Sequence, residues 1–356
     1  MCSARGAPTV RAMDDAGRMD EEALGALDLP PLEGPALITG ASGFIGSRLR
    51  DALLAAGADV VSLRRPGSPP AKRGRSVEAS YGDVTSLERA VTEARPAYVF
   101  HVAGVTKGVR YEDFRRGNVM PTENLLLAVR KQAPNVRRFV HVSSGAAYGP
   151  TVAERPLTED DPRRPLEYYG QSKLEAERAV EAWDTLPWTL ALPVAVYGPG
   201  DVDVFELFRL GRLGLKLFYG NRNQVMSTIY VDDLIRGLVL AATKEAAIGR
   251  SYFLAEESTT TWGAFQDAIA RLRRLPSLTL DLGAGAADLA GALGELATKL
   301  DGKPRVLNRQ KAQLNRAEAW LFDAARARAE LGFQTRVSRA EGIPRTDAWY
   351  RAAGWY

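Results

Sequence analysis

The sequence predicts an α/β protein with a doubly wound parallel sheet and a second, smaller C-terminal part. Two observations predict this fold. Short apolar runs of strand length alternate with longer segments in which apolar residues recur at helical spacing. A glycine-rich turn follows the first apolar run, at the point where a strand would pass into a helix. Strands that alternate with helices form parallel sheets, because each helix carries the chain back across the sheet.

The first strand, turn and helix form the clearest unit. "PALIT" (35–39) is an apolar run of buried-strand length, and Gly40, Gly43 and Gly46 follow it. Apolar residues at every fourth position then predict a helix, and "ADVVSL" (58–63) predicts the second strand. In such a unit the glycines permit a tight turn, close approach of a pyrophosphate, and close packing of helix on strand. The phosphates would lie at the helix N-terminus, so we expect a dinucleotide site rather than a simple turn.

The alternation continues and sets the predicted domain boundaries. The later segments are a strand at 96–104, a helix at 118–132, a strand at 138–144, a helix at 169–183 and a strand at 188–198. These segments predict a nucleotide-binding domain at 34–192, with a return segment at about 224–255. Residues 193–223 and 256–356 are assigned to a substrate-binding part.

The regions outside this pattern contain no targeting or membrane signal. Residues 1–33 mix charge, glycine and proline without a signal-peptide core, which predicts a flexible extension. No stretch reaches the roughly 20 apolar residues that a membrane span needs. Residues 282–300 come nearest, but their amphipathic spacing favours a helix packed on the protein over one that lies on a membrane.

Composition excludes several classes of function. The formal net charge is only +4 in 356 residues, which gives no case for a nucleic-acid partner. Cys2 is the only cysteine, so a disulfide within the chain and a cysteine metal site are both excluded. His101 and His141 are the only histidines, which makes a histidine-rich zinc site a poor interpretation. We therefore expect no metal site and a cytoplasmic protein.

Seven short motifs then occur in a family-specific order. They are "TGASGFIG" (39–46), "GDV" (82–84), "HVAG" (101–104), "SSGAAYG" (143–149), "YGQSK" (169–173), "VYGPGD" (196–201) and "YVDDL" (230–234). Together they resemble the extended short-chain dehydrogenase/reductase family, over about residues 34–250. This family includes nucleotide-sugar epimerases, and the resemblance is greatest to its dihydroflavonol reductase and 3β-hydroxysteroid dehydrogenase branch. It implies a Rossmann fold, an NAD(P) cofactor and, in many members, a homodimer.

The end of the second strand bears on which cofactor binds. NAD sites usually place an acidic residue there for the ribose 2′-hydroxyl, whereas a 2′-phosphate favours arginine. This chain has Arg64 and Arg65, with no carboxylate before Glu78. We therefore expect NADP, with Arg64 as the phosphate partner. NAD and a merely solvated basic loop remain the alternatives.

The family resemblance adds further cofactor contacts. Asp83 would bind the adenine and Ala103 would line the cofactor groove. The remaining positions implied by the family pattern are Ser42, Phe44, Ile45, Val84 and Pro193.

Tyr169 and Lys173 are the expected catalytic pair. They lie four residues apart, so one face of a helix presents both. Free tyrosine titrates near ~10, and a nearby ammonium with the positive nicotinamide ring would favour the phenolate. Tyr169 would then act as general acid/base, Lys173 would also hold the nicotinamide ribose, and Ser144 would bind the substrate oxygen. Asn118 resembles a family asparagine near the site, with a structural role equally open.

Other residue patterns narrow the chemistry. The two histidines lie within predicted buried strands, where a structural role is the more common one. The family's dehydratases follow the catalytic hydroxyl with an Asp-Glu pair, but Ser144 is followed here by Gly145, Ala146 and Ala147. Dehydration is therefore not expected.

The substrate side also departs from the epimerase pattern. Epimerases carry a diphosphate-binding arginine about six residues before the second Asp-containing motif, where this chain has Met226 and Ser227. Other cations lie nearby and could substitute, namely Arg209, Arg212, Lys216 and Arg222. Leu192 also replaces an arginine that often precedes the equivalent of Pro193. We have no physical account of this last change.

Apolar residues dominate the segment 200–223, which is expected beside the nicotinamide. They are Val204, Phe205, Leu207, Phe208, Leu210, Leu213, Leu215, Leu217 and Phe218, of which about half are expected to be core. This composition favours an NADP-dependent oxidoreductase of a hydrophobic ketone or secondary alcohol. The alternatives are a nucleotide-sugar epimerase with retained cofactor and a non-catalytic nucleotide sensor. Intact Tyr169 and Lys173 argue against the sensor.

Overall fold

A seven-stranded sheet forms the centre of the computed structural model, which describes residues 20, 22–71, 73–218, 220–273, 276–281, 283, 314 and 316–356. Its strands are β1 (Ala36–Thr39), β2 (Val60–Arg64), β3 (Arg75–Glu78), β4 (Tyr98–His101), β5 (Arg138–Val142), β6 (Trp188–Pro193) and β11 (Arg250–Leu254). The order across the sheet is β11-β6-β5-β4-β1-β2-β3, and every pair is parallel. The predicted doubly wound parallel sheet is confirmed.

The position of the ligand crevice follows from this strand order. The chain runs from β1 outward to β3 and then returns to place β4 on the other side of β1. Parallel sheets bind ligands outside the carboxyl ends of their strands at such a switch point. The switch point, where such folds bind ligands, therefore lies at the carboxyl ends of β1 and β4.

Helices cover both faces of the sheet. The helices are α1 (Phe44–Ala55), α2 (Val84–Ala94), α3 (Tyr111–Phe114), α4 (Met120–Gln132), α5 (Tyr168–Glu181), α6 (Val202–Arg212), α7 (Val231–Thr243), α8 (Trp262–Arg271) and α9 (Arg339–Ala352). Apolar residues of α1 and α7 share one core with one face of the sheet. Those of α2, α4 and α5 share a second core with the other face. A π-helical turn, Arg115–Val119, joins α3 to α4.

The predicted strand at 188–198 is wrong as a single element. It divides into β6, which ends at Pro193, and β7 (Ala195–Tyr197), which leaves the main sheet. β7 pairs instead with β10 (Thr228–Tyr230). Proline has no N–H to continue the ladder, which explains the break at this point.

A smaller set of strands builds the C-terminal part. β9 (Val225–Met226) lies between β12 (Thr260–Thr261) and β14 (Ala319–Trp320), and β8 (Leu215–Phe218) pairs with β13 (Leu278–Asp281). The predicted helix at 282–300 lies outside the described residues except for residue 283.

The described part of the predicted N-terminal extension is packed against the domain. Leu24 and Leu27 are buried in the core that contains β1. The carboxylate of Asp20 pairs with Arg48 and accepts a hydrogen bond from the indole of Trp349 at 3.0 Å. Flexibility was therefore the wrong prediction for these residues, because two leucines bury apolar surface and one carboxylate is bound. No described helix has the length and apolar character needed to cross a bilayer.

Candidate active site

The turn after β1 has no room for side chains at two of its glycines. A Cβ on Gly46 would lie 2.1 Å from the carbonyl oxygen of Gly40, and one on Gly40 would lie 2.8 Å from the Cα of Ala103. Gly40 also has a φ of +69°, which favours glycine. Gly43 is exposed and precedes the first residue of α1. This cradle of bare backbone at a helix N-terminus fits a dinucleotide pyrophosphate.

Thr39 ties the ends of β1 and β4 together. Its hydroxyl accepts hydrogen bonds from the backbone N–H groups of Val102 (3.1 Å) and Ala103 (3.0 Å). It also lies 2.8 Å from Nδ1 of His101. Sequence reasoning missed this residue, although a polar side chain that ends an apolar strand was a usable signal.

Tyr81 is a second missed residue at the same turn. The backbone of Gly40 and the side chain of Thr39 both lower the pKa of its phenol. Burial raises the pKa of Tyr81 to about 12, so the phenol stays neutral at physiological pH. Asn124 donates to its carbonyl oxygen at 2.8 Å. Tyr81 thus supports the glycine turn from the side of β3.

The end of β2 carries both a cation and an anion. The register of β2 and β3 pairs Arg64 with Glu78, and their side chains form an ion pair. Arg64 also donates to the carbonyl oxygen of Ser68 at 2.8 Å. The sequence expectation that no carboxylate lies near the end of β2 is therefore wrong. Parallel pairing brings Glu78 back to this end, while Arg65 is exposed beside it.

The other predicted cofactor residues occupy varied positions. Asp83 caps α2 by accepting a hydrogen bond from the N–H of Thr85 at 2.9 Å. Pro193 is buried in β6 opposite Leu254. In the remaining set, Ser42 is exposed, whereas Phe44, Ile45, Val84 and Ala103 are partly buried.

Ser144 and Tyr169 meet at the carboxyl end of β5. The Ser144 hydroxyl accepts a hydrogen bond from the N–H of Ala146 at 3.2 Å, and it acts on the Tyr169 hydroxyl by lowering the pKa of that phenol. Gly170 makes this approach possible, because a Cβ there would lie 2.3 Å from the carbonyl oxygen of Ala146. Sequence reasoning did not identify Gly170 as a requirement of the site.

Lys173 lies one helical turn beyond Tyr169 on α5. Its buried Nζ donates to the carbonyl oxygen of Val142 at 2.7 Å. Burial lowers the pKa of Lys173 to about 8, while the charge of Glu177 acts in the opposite direction. The structure therefore brings the predicted Ser144, Tyr169 and Lys173 to one strand end.

The protonation state of Tyr169 differs from the sequence expectation. Burial raises the pKa of Tyr169 to about 12, and the hydrogen bond with Ser144 lowers it only in part. The expectation of a phenolate invoked two positive charges, and only the Lys173 ammonium belongs to the chain itself. The protein's own groups thus hold Tyr169 as a neutral phenol, which is the form that donates a proton.

Asn118 bridges the loop after β4 to α5. Its amide nitrogen donates to the carbonyl oxygen of Val105 (3.1 Å) and to the hydroxyl of Ser172 (2.8 Å). Its amide oxygen accepts from the N–H of Val105 at 2.7 Å. These contacts fix the loop against the helix that carries Tyr169.

The two histidines lie beneath this site with different surroundings. His101 contacts the hydroxyls of Thr39 (2.8 Å) and Thr122 (2.9 Å), and burial lowers its pKa to about 3. His141 lies beside His101 with ring centroids 5.3 Å apart and the two rings tilted by 39°. In the part of the chain that the structure describes, neither ring nitrogen of His141 has a hydrogen-bond partner. Burial lowers its pKa too, so both rings are neutral at physiological pH.

The part of the chain predicted to bind substrate is built around an aromatic core. Met226 is 7% exposed and packs with Tyr197 and Phe265 in an aromatic core. Phe205 and Phe208 are also core residues and pack against Tyr350.

The rest of the predicted apolar segment is less deeply buried. Phe218 is buried and Leu213 is exposed, while the partly buried members are Val204, Leu207, Leu210, Leu215 and Leu217. Three of the nine residues are therefore core, rather than half. The segment approaches the cofactor turn at Gly200, whose added Cβ would lie 3.8 Å from the ring of Phe44.

Each cation that could replace the epimerase arginine contacts another side chain. Arg209 pairs with Glu206 at 2.7 Å, and Lys216 pairs with Asp267 at 2.5 Å. The remaining guanidinium groups lie over aromatic rings, with Arg212 at 4.0 Å from the ring centroid of Tyr356 and Arg222 at 5.9 Å from that of Phe218.

Comparison with known proteins agrees with this geometry. The model of the NAD dependent epimerase/dehydratase family matches residues 36–255. Ceramide reductase from Caulobacter vibrioides is 31% identical over 332 residues, covering 90% of this chain and 96% of the relative. UDP-glucose 4-epimerase from Mycolicibacterium smegmatis is 29% identical over 341 residues, covering 88% and 98%.

A solved structure extends the likeness to the whole fold. MoeE5 in complex with UDP-glucuronic acid and NAD has a TM-score of 0.69 and 28% identity, and covers 89% of this chain and 99% of its own. The residues that the family model matches contain both the glycine turn and the Ser-Tyr-Lys strand end. The chain belongs to the NAD dependent epimerase/dehydratase family, whose members are nicotinamide-dependent enzymes of the extended short-chain dehydrogenase/reductase type.

Proposed function

We propose that this chain is an NADP-dependent oxidoreductase that reduces a ketone, or oxidises a secondary alcohol, on a hydrophobic small molecule. The arrangement of Ser144, Tyr169 and Lys173 at the end of β5 is the observation that carries the reaction type. A nicotinamide held on the glycine turn would supply or accept the hydride. The chain's own residues would move the proton and hold the oxygen.

Tyr169 is the proposed proton donor for the carbonyl oxygen. Its pKa is raised to about 12 by burial, so the neutral phenol is ready to donate in the direction of reduction. Ser144 acts on the same hydroxyl and would donate its own hydrogen to the same substrate oxygen. The turn that follows Ser144 is Gly145–Ala147, which offers no carboxylate for a dehydration step.

Lys173 would stabilise Tyr169 after the proton has left. Its Nζ is held by the carbonyl oxygen of Val142, and its pKa of about 8 leaves it an ammonium at neutral pH. A positive charge near a developing phenolate favours the ionised form. The same ammonium could donate to the ribose of the cofactor.

The buried Met226 supports the hydrophobic substrate class. It occupies the place of the epimerase arginine, and the nearby cations contact other side chains of the chain. A buried diphosphate without a cation is costly, whereas an apolar carbonyl compound needs only a few polar contacts. The relative named ceramide reductase, at 31% identity, agrees with a lipid-like substrate.

The proposed preference for NADP rests on Arg64 and Arg65. Glu78 competes with a 2′-phosphate for Arg64, and in an NAD enzyme this same carboxylate could accept the ribose 2′-hydroxyl. We favour NADP because a doubly charged phosphate attracts a guanidinium more strongly than one carboxylate does. Arg65 adds a second cation at the same strand end.

Nucleotide-sugar epimerisation is the second candidate. The relative named UDP-glucose 4-epimerase, at 29% identity, favours it. An epimerase oxidises and re-reduces one carbon, so its nicotinamide shows no net change. The buried Met226 weighs against this candidate, because it removes the expected contact for a diphosphate.

A substrate panel tests the proposal. Steroid-like, aromatic and long-chain acyl ketones are incubated with NADPH beside UDP- and GDP-sugars, and nicotinamide absorbance and product formation are both followed. We expect at least one apolar ketone to oxidise NADPH. The proposal fails if a nucleotide sugar alone is converted, without net change in absorbance.

A further inference from the structure

Three consecutive residues at the end of β5 interact with three residues of α5 that are four positions apart. The carbonyl oxygen of Val142 accepts from Lys173 and the next residue, Ser143, donates to a carboxylate oxygen of Glu177. The third residue, Ser144, lowers the pKa of Tyr169 through its hydroxyl. The proposed catalytic groups use only two of these three links. The link from Ser143 joins the same strand end to a residue one helical turn beyond Lys173.

Glu177 is a fully buried carboxylate with its own set of partners. Its side chain is 0% exposed, and Arg163 lies 3.1 Å from its second oxygen. Arg163 also donates to Glu181 at 3.0 Å and lies over the ring of Tyr148 at 5.6 Å from the ring centroid. A buried acidic residue is rare unless it is paired, so this position calls for a specific reason.

We propose that Glu177 is a positioning residue of the Ser-Tyr-Lys site, which holds the strand end through Ser143 and supplies the negative charge that keeps Lys173 an ammonium. The inference rests on the proposed function for its effect on turnover. Its effect on Lys173 concerns the folded chain alone.

The charges around Lys173 leave this role to Glu177. On α5 the neighbours are the neutral Tyr169 and the carboxylate of Glu177, whose charge raises the pKa of Lys173. From β4 and β5 the facing groups are His101 and His141, whose pKa values burial lowers until both are neutral. Arg163, in the loop before α5, and Glu181, one turn farther along the helix, act on Glu177 with opposite signs. The phenol of Tyr148 is neutral, because burial raises its pKa to about 12.

The expected direction follows from the sign of the charge. Burial raises the pKa of Glu177 to about 7, which is still below the pKa of about 8 of Lys173, so the carboxylate is mostly ionised at the pH where Lys173 is half-protonated. A nearby negative charge favours every protonated cation, and its removal must lower the pKa of Lys173. If the role of Glu177 were purely structural, its substitution would change folding stability but would leave the pKa of Lys173 unchanged.

The test compares E177Q with the matched variant E181Q in the full chain. Both changes remove a carboxylate that contacts Arg163, but only the first is next to Lys173. The protein is labelled with ¹³Cε-lysine, and the Lys173 signal is identified by its loss in K173R. Midpoints of its titration are then read by NMR. We expect E177Q to lower the Lys173 midpoint by about one pH unit and E181Q to leave it unchanged.

A second variant separates charge from positioning. E177D keeps the charge but shortens the reach to Ser143, so the Lys173 midpoint should stay near the wild-type value while turnover falls. Equal Lys173 midpoints in wild type, E177Q and E181Q would overturn the inference, and so would full turnover in E177D. Because the NMR readout needs no substrate, an inactive protein with the expected shift would count against the proposed function alone.

Discussion

The cofactor side and the substrate side of the cleft are built in opposite ways. At the ends of β1, β4 and β5, bare backbone and buried polar side chains are fixed by many short contacts, as at Thr39 and Lys173. At β9 and α6, apolar and aromatic side chains pack together, and nearby cations contact neighbouring side chains. Under the proposed function, the contrast means that one side would hold the reacting groups in place, whereas the other would exclude water from an apolar ligand.

The largest effect is expected from the removal of a single atom, the hydroxyl oxygen of Tyr169. Y169F removes the proton donor but keeps the ring, so turnover should fall by about 10²–10⁴ while NADPH affinity barely changes. Y168F is the matched control, since it makes the same change at the neighbouring residue and should leave turnover near wild type. Steady-state rates and fluorescence titration measure both. Wild-type activity in Y169F would remove this residue from the mechanism.

A smaller effect is expected at Arg64, for which Glu78 and the cofactor 2′-phosphate would compete. R64A should weaken NADPH binding by about ten- to a hundredfold, because a charge-assisted contact of about 1.5–3 kcal/mol is lost. E78Q should strengthen NADPH binding, since it frees Arg64 from its partner. R75A, at the opposite end of β3, alters an exposed pair with Asp59 and serves as the control. If the wild type bound NADH more tightly than NADPH, and if E78Q weakened NADH binding, Glu78 would instead be assigned to the ribose 2′-hydroxyl.

The smallest effect concerns the buried histidines of the cofactor side. A histidine whose pKa is lowered on folding contributes stability above its unfolded pKa of about 6.5, and this stability is lost as pH falls toward the folded value. In that range each such histidine lowers the free energy of unfolding by up to about 1.4 kcal/mol for each pH unit of acidification. H141L should therefore reduce the loss of stability on acidification, with little change at neutral pH.

H101L provides the contrast to this variant. It breaks the contacts with Thr39 and Thr122, so we expect it to lower stability at neutral pH by about 1 kcal/mol or more. Urea unfolding of both variants from about pH 7 to about pH 5 measures the difference. An unchanged acid response in H141L would show that His141 is not a neutral buried group.

Sequence reasoning worked best on the parts of the cofactor side that are local. The glycine turn, the helical spacing of Tyr169 and Lys173, and the strand end at Ser144 each lie within one short pattern. The missed contacts join distant segments, as Thr39 does with Ala103 across 64 positions. Glu78 was misjudged for the same reason, because only the register of β2 and β3 brings it beside Arg64.

The substrate side was less predictable, because the types of its residues do not reveal which side chains point into the core and which are exposed. Phe205, Phe208 and Leu213 belong to one apolar pattern, yet the first two are core and the third is exposed. Aromatic residues at the far C-terminus decide this, since Tyr350 packs on both phenylalanines. Such packing depends on a partner about 140 residues away, which periodicity within a helix does not specify.

The nicotinamide content of the purified protein tests the central claim most directly. An oxidoreductase with net turnover must exchange its cofactor, whereas an epimerase regenerates it in place. The protein is dialysed, denatured, and the released nucleotide is identified and counted by chromatography. We predict that the dialysed chain has lost its nicotinamide and binds added NADPH reversibly. One tightly retained NAD per chain would contradict the account and favour the epimerase.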